Sequence, residues 1–353
     1  MAKNWKHAIV GVGVVGEWHV RVVSKALENS ELVALCDRDP KQAEAAMQKS
    51  ELNLPVYTTM AEMFAAHPEI EVVHICTPSG DHMNPAIEAM KAGKHVICEK
   101  PMEIHADRID TMIAAAKEHG VKLAGIFQNR WREEMRAIKK AVDEGRFGTL
   151  AFCGTYTPWF RGDQYYREGG WRGTWALDGG GAIMNQSVHS VDLAQWLAGP
   201  IKVVSAHGSS RIHREIEVED TLSAAVTYEN GAHGVLMGTT AMFPGAGVRV
   251  EIGGENGMAQ TGGGTKMFKF RETRDDDATA LEPPAEALNS TGGGSDPRDV
   301  PHYLHARNIA HILERWEAGQ EAETHGPEAR KAVAIIEALY ASMKAGGTPV
   351  EVG

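Results

Sequence analysis

Three stretches of the chain carry residue types that do chemistry at defined spacing. Gly11-Val12-Gly13-Val14-Val15-Gly16 has the form GxGxxG, and Asp37 follows 21 positions after its last glycine. Between a strand and a helix, the first glycine permits the tight turn and the second lets backbone approach a pyrophosphate. The third lets helix and strand pack closely, and the phosphates rest on N–H groups at the helix N-terminus. A carboxylate at the distance of Asp37 reaches the adenosine ribose and repels a 2′-phosphate, so NAD is expected over NADP. Arg38 pulls the other way, since a guanidinium there could neutralise such a phosphate, or simply stack on adenine.

The second stretch comprises Cys76-Thr77-Pro78-Ser79-Gly80-Asp81-His82 and Cys98-Glu99-Lys100-Pro101, each directly after an apolar run. Loops at the carboxyl ends of parallel strands are where such sheets bind ligands. A lysine there, Lys100, can stabilise an alkoxide or polarise a carbonyl near the nicotinamide. The third stretch runs from Trp171-Arg172 into Gly179-Gly180-Gly181 and on through Asn185, His189 and Asp192. Three glycines before a helix make a second anion-tolerant turn or a place of close approach. Positions 185, 189 and 192 are expected to share one helix face, where His189 exchanges a proton near neutrality or is satisfied by Asp192. Arg130, Trp131, Tyr156, Trp159, Arg161, Tyr165 and Tyr166 are substrate-facing candidates, aromatic faces for sugar rings and guanidinium forks for hydroxyls, carboxylates or phosphates. His302 and His305 lack an acidic or cysteine ligand at matching spacing, so no metal site is expected.

These groups need elements to hold them. Residues 1–125 alternate apolar strands with helical stretches: 7–12, 32–36, a short 56–57, 72–76, 95–98 and 122–127 read as strands, with helices at 13–29, 43–49, 60–66, 85–92 and 106–120 between them. Continuous apolar strands in that alternation predict a doubly wound parallel sheet buried on both faces. From residue 150 strands follow one another, at 150–156, 202–209, 221–228, 232–240 and 248–253, which predicts an α+β second domain over 126–353 with a mixed or antiparallel sheet. Residues 271–300 read as a polar surface excursion, and helices are expected at 302–318 and 327–344.

With 353 residues, two domains are the natural reading. A formal charge of -11 argues against nucleic acid and anionic membrane as partners. The four cysteines form no CxxC pair and read as buried thiols of a reducing compartment; with no apolar leader or membrane-length run, a cytoplasmic protein is expected.

In combination and order, GVGVVG, CTPSGDH, AMKAGKHVICEKP and WRGTWALDGGGAIMNQSVHSVD resemble the glucose-fructose oxidoreductase, inositol dehydrogenase and rhizopine catabolism family, written Gfo/Idh/MocA. The resemblance spans essentially the whole chain. It implies an N-terminal Rossmann domain and a C-terminal α+β domain with a large, mostly antiparallel sheet, through which the chain would form a homodimer or homotetramer. It also implies NAD(P)-dependent hydride transfer at a secondary hydroxyl or ketone of a sugar, sugar derivative or polyol. A related activity is NAD-dependent glycoside cleavage through a transient keto-sugar. Lys100 matches the family's EKP lysine and His189 its catalytic histidine, while Trp171 and Arg172 match a pair near the nicotinamide. Asn185 departs from the aspartate of many members, leaving an amide to orient the histidine or bind a hydroxyl. Gly11, Gly13, Val14, Val15, Gly16, Asp37, Arg38, Thr77, Pro78, His82, Glu99, Lys100, Gln128, Trp171 and Arg172 make up the expected cofactor-binding set, with Lys100, His189 and Asn185 as the catalytic one.

Overall fold

A computed structural model describes residues 3–168, 170–262, 264–274, 277 and 302–353. The chain divides into two compact units, Met1–Gln128 with His302–Arg330, and Asn129–Pro301 with Lys331–Gly353.

The first unit is built on strands β1 (Trp5–Val10), β2 (Ser30–Cys36), β3 (Val56–Tyr57), β4 (Val72–Ile75), β5 (His95–Cys98) and β6 (Leu123–Gly125). They form one parallel sheet in the order β3-β2-β1-β4-β5-β6, the dinucleotide-binding arrangement, whose strand order reverses at β1. Helices α1 (Val14–Lys25), α2 (Pro40–Ser50), α3 (Met60–Ala66), α4 (Met83–Lys91) and α5 (Ala106–Glu118) connect the strands. Sequence explains several of their starts. Asp39 caps α2 by accepting from Lys41 N, with Pro40 at the first helical position, and Thr59 caps α3 by accepting from Glu62 N. Both faces of the sheet are covered. One packs Ile9, Leu32 and Leu35 against Val20, Val23, Ala43 and Ala46.

The other face corrects the expected domain boundary. The expected second domain, 126–353, includes α9 (His302–Glu317), yet this helix belongs to the first unit. Its Ile309, Ile312, Leu313 and Trp316 share a buried cluster with Trp5, Val22, Val72, Ile97 and Ile126. A parallel sheet needs apolar cover on both faces, and a helix remote in sequence supplies it.

The second unit contains α6 (Glu133–Asp143), β7 (Leu150–Pro158), α7 (Asp163–Arg167), α8 (Val188–Ala198), β8 (Ile201–Ser209), β9 (Thr221–Tyr228), β10 (His233–Thr239), β11 (Arg249–Gly254), β12 (Gly257–Thr261) and β13 (Thr265–Phe270). After α10 (Gly326–Lys344), which begins in the first unit, β14 (Val350–Glu351) completes an eight-stranded sheet in the order β13-β12-β11-β7-β10-β9-β8-β14. All its pairings are antiparallel except β7 with β10. Strands β8 to β10 alternate buried and open positions, with Val204, Ala206, Leu222 and Val226 inward and Lys202, His207, Ser223 and Ala225 outward. Most of the expected polar excursion at 271–300 lies outside the described residues. No described helix is long and apolar enough to cross a membrane.

Candidate active site

The glycine turn has the backbone geometry that only glycine allows at two of its positions. Gly11 has φ +83°, and a Cβ there would meet Thr77 N at 2.7 Å. A Cβ on Gly16 would meet Gly11 O at 2.1 Å, the closeness with which α1 packs on the turn. A Cβ on Gly13 would meet nothing within 4 Å, so its backbone is open to a phosphate, and no side chain caps the N-terminus of α1. Val14 is exposed and Val15 half-buried beside it. Asp37 lies directly beyond β2, where Oδ2 accepts from Val12 N at 2.6 Å and Oδ1 from Asp39 N at 2.9 Å. One carboxylate thus braces both the glycine turn and the start of α2. These features fit a dinucleotide.

The exposed Arg38 guanidinium donates to Asp81 Oδ2 at 2.8 Å, a surface ion pair that a nucleotide phosphate would have to displace. Asp81 belongs to the loop after β4, in which Thr77 Oγ1 donates to Asp81 O at 2.8 Å and Pro78 is half-buried.

Two members of the expected cofactor set turn inward instead. His82 is 1% exposed, with Nε2 at 2.8 Å from Thr77 O and Nδ1 at 2.9 Å from Pro101 O. It staples the loop after β4 to the loop after β5, and so positions Lys100 without facing a ligand itself. Glu99 is 4% exposed; Oε1 lies 2.9 Å from His19 Nε2 and Oε2 accepts from Lys100 N at 3.0 Å. Hydrogen bonds from His19 and His305 hold its carboxyl well below the usual carboxylate range despite its burial. Lys100 itself is half-buried. Gln128, after β6, is buried with Oε1 unpartnered among the described residues, an acceptor available to a ligand amide.

In the second unit the glycine run resolves as close approach. A Cβ on Gly180 would lie 2.0 Å from the Tyr340 hydroxyl oxygen, and one on Gly181 would lie 1.9 Å from Glu219 O. The anion at this turn is internal: Glu219 Oε2 accepts from Gly181 N at 3.0 Å, and Oε1 accepts from Ile183 N at 2.9 Å and the Tyr340 hydroxyl at 3.0 Å. Burial pushes the Glu219 carboxyl up to about 7. This glutamate escaped the sequence reading because nothing near it in the chain links it to the glycines.

The expected single helix face is also broken. Ala182–Gln186 is a π-helical segment, Ser187 interrupts, and α8 begins at Val188. Asn185 Nδ2 donates to Asp178 Oδ1, and Asp178 Oδ2 accepts from Gly173 N at 2.8 Å. Asp192 holds Arg130 through two contacts, Nε–Oδ2 at 2.7 Å and Nη2–Oδ1 at 2.5 Å. His189 is 7% exposed in the first turn of α8. Asp178, a buried carboxylate against Asn185, was not anticipated; its only signal was its place just before the glycines.

The substrate candidates separate. Arg130, 1% exposed and clamped to Asp192, is structural, because a buried guanidinium needs a counter-ion. Trp131 is buried under Arg136, and Tyr156 lies against Arg249 at 3.9 Å across neighbouring strands. Tyr166 is engaged by Thr240 Oγ1 at 2.7 Å. The remaining three, Trp159, Arg161 and Tyr165, come together with Trp171 and Arg172 of the expected cofactor set. Arg161 lies over Trp159 and Tyr165 at 4.9 and 5.5 Å, and Arg172 over Tyr165 and Trp171 at 4.4 and 5.6 Å. Gln186 Nε2 joins this stack to Asn185, reaching Tyr165 Oη and Asn185 Oδ1 at 2.8 Å each. The indole Nε1 of Trp159 is buried and unpartnered among the described residues. No group of three or more metal-ligating side chains is found among the described residues.

Comparison with known proteins agrees with this geometry. Residues 5–127 match the oxidoreductase family with NAD-binding Rossmann fold, and residues 135–260 match the GFO/IDH/MocA C-terminal domain. The D-apiose dehydrogenase of Paraburkholderia graminis is 26% identical over 98% of this chain and 89% of its own. The inositol 2-dehydrogenase of Ralstonia nicotianae is 29% identical over 54% of this chain and 53% of its own. The crystal structure of the WlbA dehydrogenase from Bordetella pertussis, in complex with NADH and UDP-GlcNAcA, superposes with TM-score 0.86 at 30% identity, covering 100% of this chain and 99% of that one.

Proposed function

We propose, from the premise that the chain belongs to the GFO/IDH/MocA family of NAD-binding oxidoreductases, that it transfers a hydride between NAD and a secondary hydroxyl or ketone of an anionic sugar derivative. The observation that carries this reading is that the open glycine turn, Asp37 and Lys100 all follow strands of one parallel sheet at its carboxyl edge. When bound, the nicotinamide supplies the hydride acceptor. His189 accepts the hydroxyl proton, and the Lys100 ammonium stabilises the oxyanion as the carbonyl forms. Asn185, fixed by Asp178 and Gln186, positions the segment leading to His189.

The stack of Trp159, Arg161, Tyr165, Trp171 and Arg172 supports a sugar that carries a carboxylate or phosphate, which guanidinium groups bind and aromatic faces flank. The likeness to an enzyme solved with UDP-GlcNAcA points the same way. The test is a panel of monosaccharides, polyols, uronic acids, anhydrosugars and nucleotide-linked uronic acids offered with NAD, followed by absorbance of the reduced cofactor. Turnover of acidic or nucleotide-linked sugars at a kcat/KM at least tenfold above neutral ones is expected. Preference for a neutral polyol overturns the anionic assignment, and the absence of NADH formation with every member overturns the dehydrogenase.

The four buried free cysteines support a reducing, cytoplasmic setting. The outward face of β8 to β10 supports a homodimer or homotetramer assembled through this sheet; sedimentation at a monomer mass across concentrations would exclude that assembly.

A further inference from the structure

Within the second unit a row of side-chain hydrogen bonds runs from a buried carboxylate to a half-buried hydroxyl. Asp178, 1% exposed, receives Gly173 N–H on Oδ2 at 2.8 Å and the Asn185 Nδ2 amide on Oδ1. Asn185 Oδ1 lies 2.8 Å from Gln186 Nε2, which in turn lies 2.8 Å from Tyr165 Oη. Asn185 and Gln186 are both buried, on the π-helical segment that follows the glycine run, and Tyr165 stands half-buried on α7.

Donor and acceptor chemistry leaves this row one direction. A carboxylate only receives, so Asn185 presents Nδ2 to Asp178 and its carbonyl oxygen to Gln186. Gln186 must then turn its amide nitrogen to Asn185, and the second N–H of that nitrogen reaches Tyr165 Oη. The phenolic oxygen is thereby engaged as an acceptor, and the Tyr165 O–H is directed elsewhere. Among the described residues it meets no acceptor. Burial pushes this phenol above its ordinary value, so it keeps its proton. The Arg161 and Arg172 guanidinium groups lie over its ring at 5.5 and 4.4 Å. Arg161 also lies over Trp159, whose buried Nε1–H is a second donor without a partner among the described residues. The Tyr165 O–H, the Trp159 N–H and the two guanidinium groups have an anionic oxygen as their complement.

We propose that Asp178 is a positioning residue that sets substrate specificity: it fixes the direction of the Asn185–Gln186 row and so makes the Tyr165 hydroxyl a donor to an anionic oxygen of the substrate, a carboxylate or a phosphate. This rests on the reading of the substrate as an anionic sugar derivative. Exchange of one carboxylate oxygen for an amide nitrogen is enough to reverse the row. In Asp178→Asn the side-chain oxygen must stay on Gly173 N, so the new amide nitrogen faces Asn185. Asn185 then turns its oxygen to that nitrogen, and Gln186 receives Asn185 Nδ2 on its own oxygen. The Tyr165 O–H now donates inward to the same Gln186 oxygen. Every side chain keeps its place, but the phenol offers the substrate a lone pair where it offered a proton. A neutral hydroxyl can donate to that lone pair, whereas an anionic oxygen is repelled by it.

The test compares matched substrates offered with NAD: a nucleotide-linked uronic acid against the same nucleotide sugar with a hydroxymethyl group in place of the carboxylate, and a sugar 1-phosphate against the free sugar. The readout is the ratio of kcat/KM, charged over neutral. Tyr165→Phe keeps the ring under both guanidinium groups and removes the O–H, while Asp178→Asn keeps the shape and reverses the row. In each variant the ratio should fall at least ~10-fold in the pair whose anionic group Tyr165 meets, the loss expected of a hydrogen bond to a charged group. The double variant should fall no further than either single one, because both substitutions remove the same bond. An unchanged ratio in Tyr165→Phe overturns the role of the hydroxyl. Equal losses for charged and neutral substrates in Asp178→Asn, or additive losses in the double variant, overturn control by Asp178. Neutron diffraction from deuterated wild-type enzyme without substrate reads the row independently of turnover and of any variant's folding. A Tyr165 deuteron turned away from Gln186 is expected, and one directed at Gln186 overturns the row as drawn. Failure of the substrate reading shows separately in wild type, as no preference for the charged member of either pair or no NADH at all, and the neutron map then decides the row alone.

Discussion

At the scale of single residues, the cofactor and the chemistry rest on few side chains. Asp37 lies directly beyond β2, where a carboxylate would meet the adenosine ribose of a bound NAD, and the neighbouring Arg38 pairs with Asp81. NAD should therefore bind more tightly than NADP by roughly tenfold, about 1.4 kcal/mol. Calorimetric titration with both nucleotides checks this, and equal affinities would mean that Arg38 leaves Asp81 for the 2′-phosphate. Lys100 and His189 are expected to act in the transition state. Lys100→Ala or His189→Ala should lower kcat by ~100-fold or more while NAD affinity stays within a few-fold, because general acid–base and oxyanion contributions vanish without loss of ground-state binding. Normal turnover in either variant removes that residue from the mechanism.

At the scale of elements, the glycine turn, π-helical segment and α8 form one device held from behind. Glu219 occupies the N–H groups that would otherwise be orphaned at this turn, and Gly180 and Gly181 let Tyr340 and the Glu219 backbone come close enough for it. Glu219→Ala leaves two buried N–H donors and the Tyr340 hydroxyl without an acceptor, and should reduce stability by ~2–4 kcal/mol in chemical denaturation. A loss under 1 kcal/mol would show that water replaces the carboxylate. The same device makes a specific statement about position 185. Aspartate there would face Asp178 inside the fold, so Asn185→Asp should destabilise the protein at pH 8 and recover as falling pH lets the pair take up a proton. Melting temperatures equal to wild type at pH 8 would contradict this.

At the scale of the whole molecule, buried histidines set the response to acid. Burial lowers His7 to about 3 and holds His74 and His305 below their ordinary value. Unfolding returns each ring to ~6.5, so the unfolded chain binds more protons below that pH, and stability present above pH 6.5 is lost as the pH falls. Each ring contributes a slope of about 1.4 kcal/mol per pH unit within its window, which for His7 runs from ~6.5 down to 3. Glu219, raised to about 7, acts in the opposite sense: its contribution is present below the unfolded value of ~4.5 and lost as pH rises through 7. The lowered rings, to which His82, His95 and His302 add, outnumber the raised carboxyls of Glu219 and Glu103, which leaves a net fall on the acid side. The melting temperature should drop steadily from pH 6.5 to 5, and a flat profile would count against neutral buried rings.

The sequence by itself determined whatever depends on local pattern. Strand-helix alternation, apolar strands and the GxGxxG hexamer with Asp37 are local features, and they specified the parallel sheet, its carboxyl-edge loops and the cofactor class; the place of Lys100 in such a loop, two residues beyond β5, was legible for the same reason. Tertiary structure alone decided which partners meet across long stretches of chain. It gave α9 to the first unit, Arg130 to Asp192, Glu219 to the glycines at 180 and 181, and Arg38 to Asp81. It also aligned His7, His19 and His74 from two strands and a helix into one row ending at Glu99. Such pairings leave no mark on periodicity, because a buried charge or ring nitrogen finds its counterpart by proximity in the packed fold, where leaving it unpaired costs more than any local preference supplies.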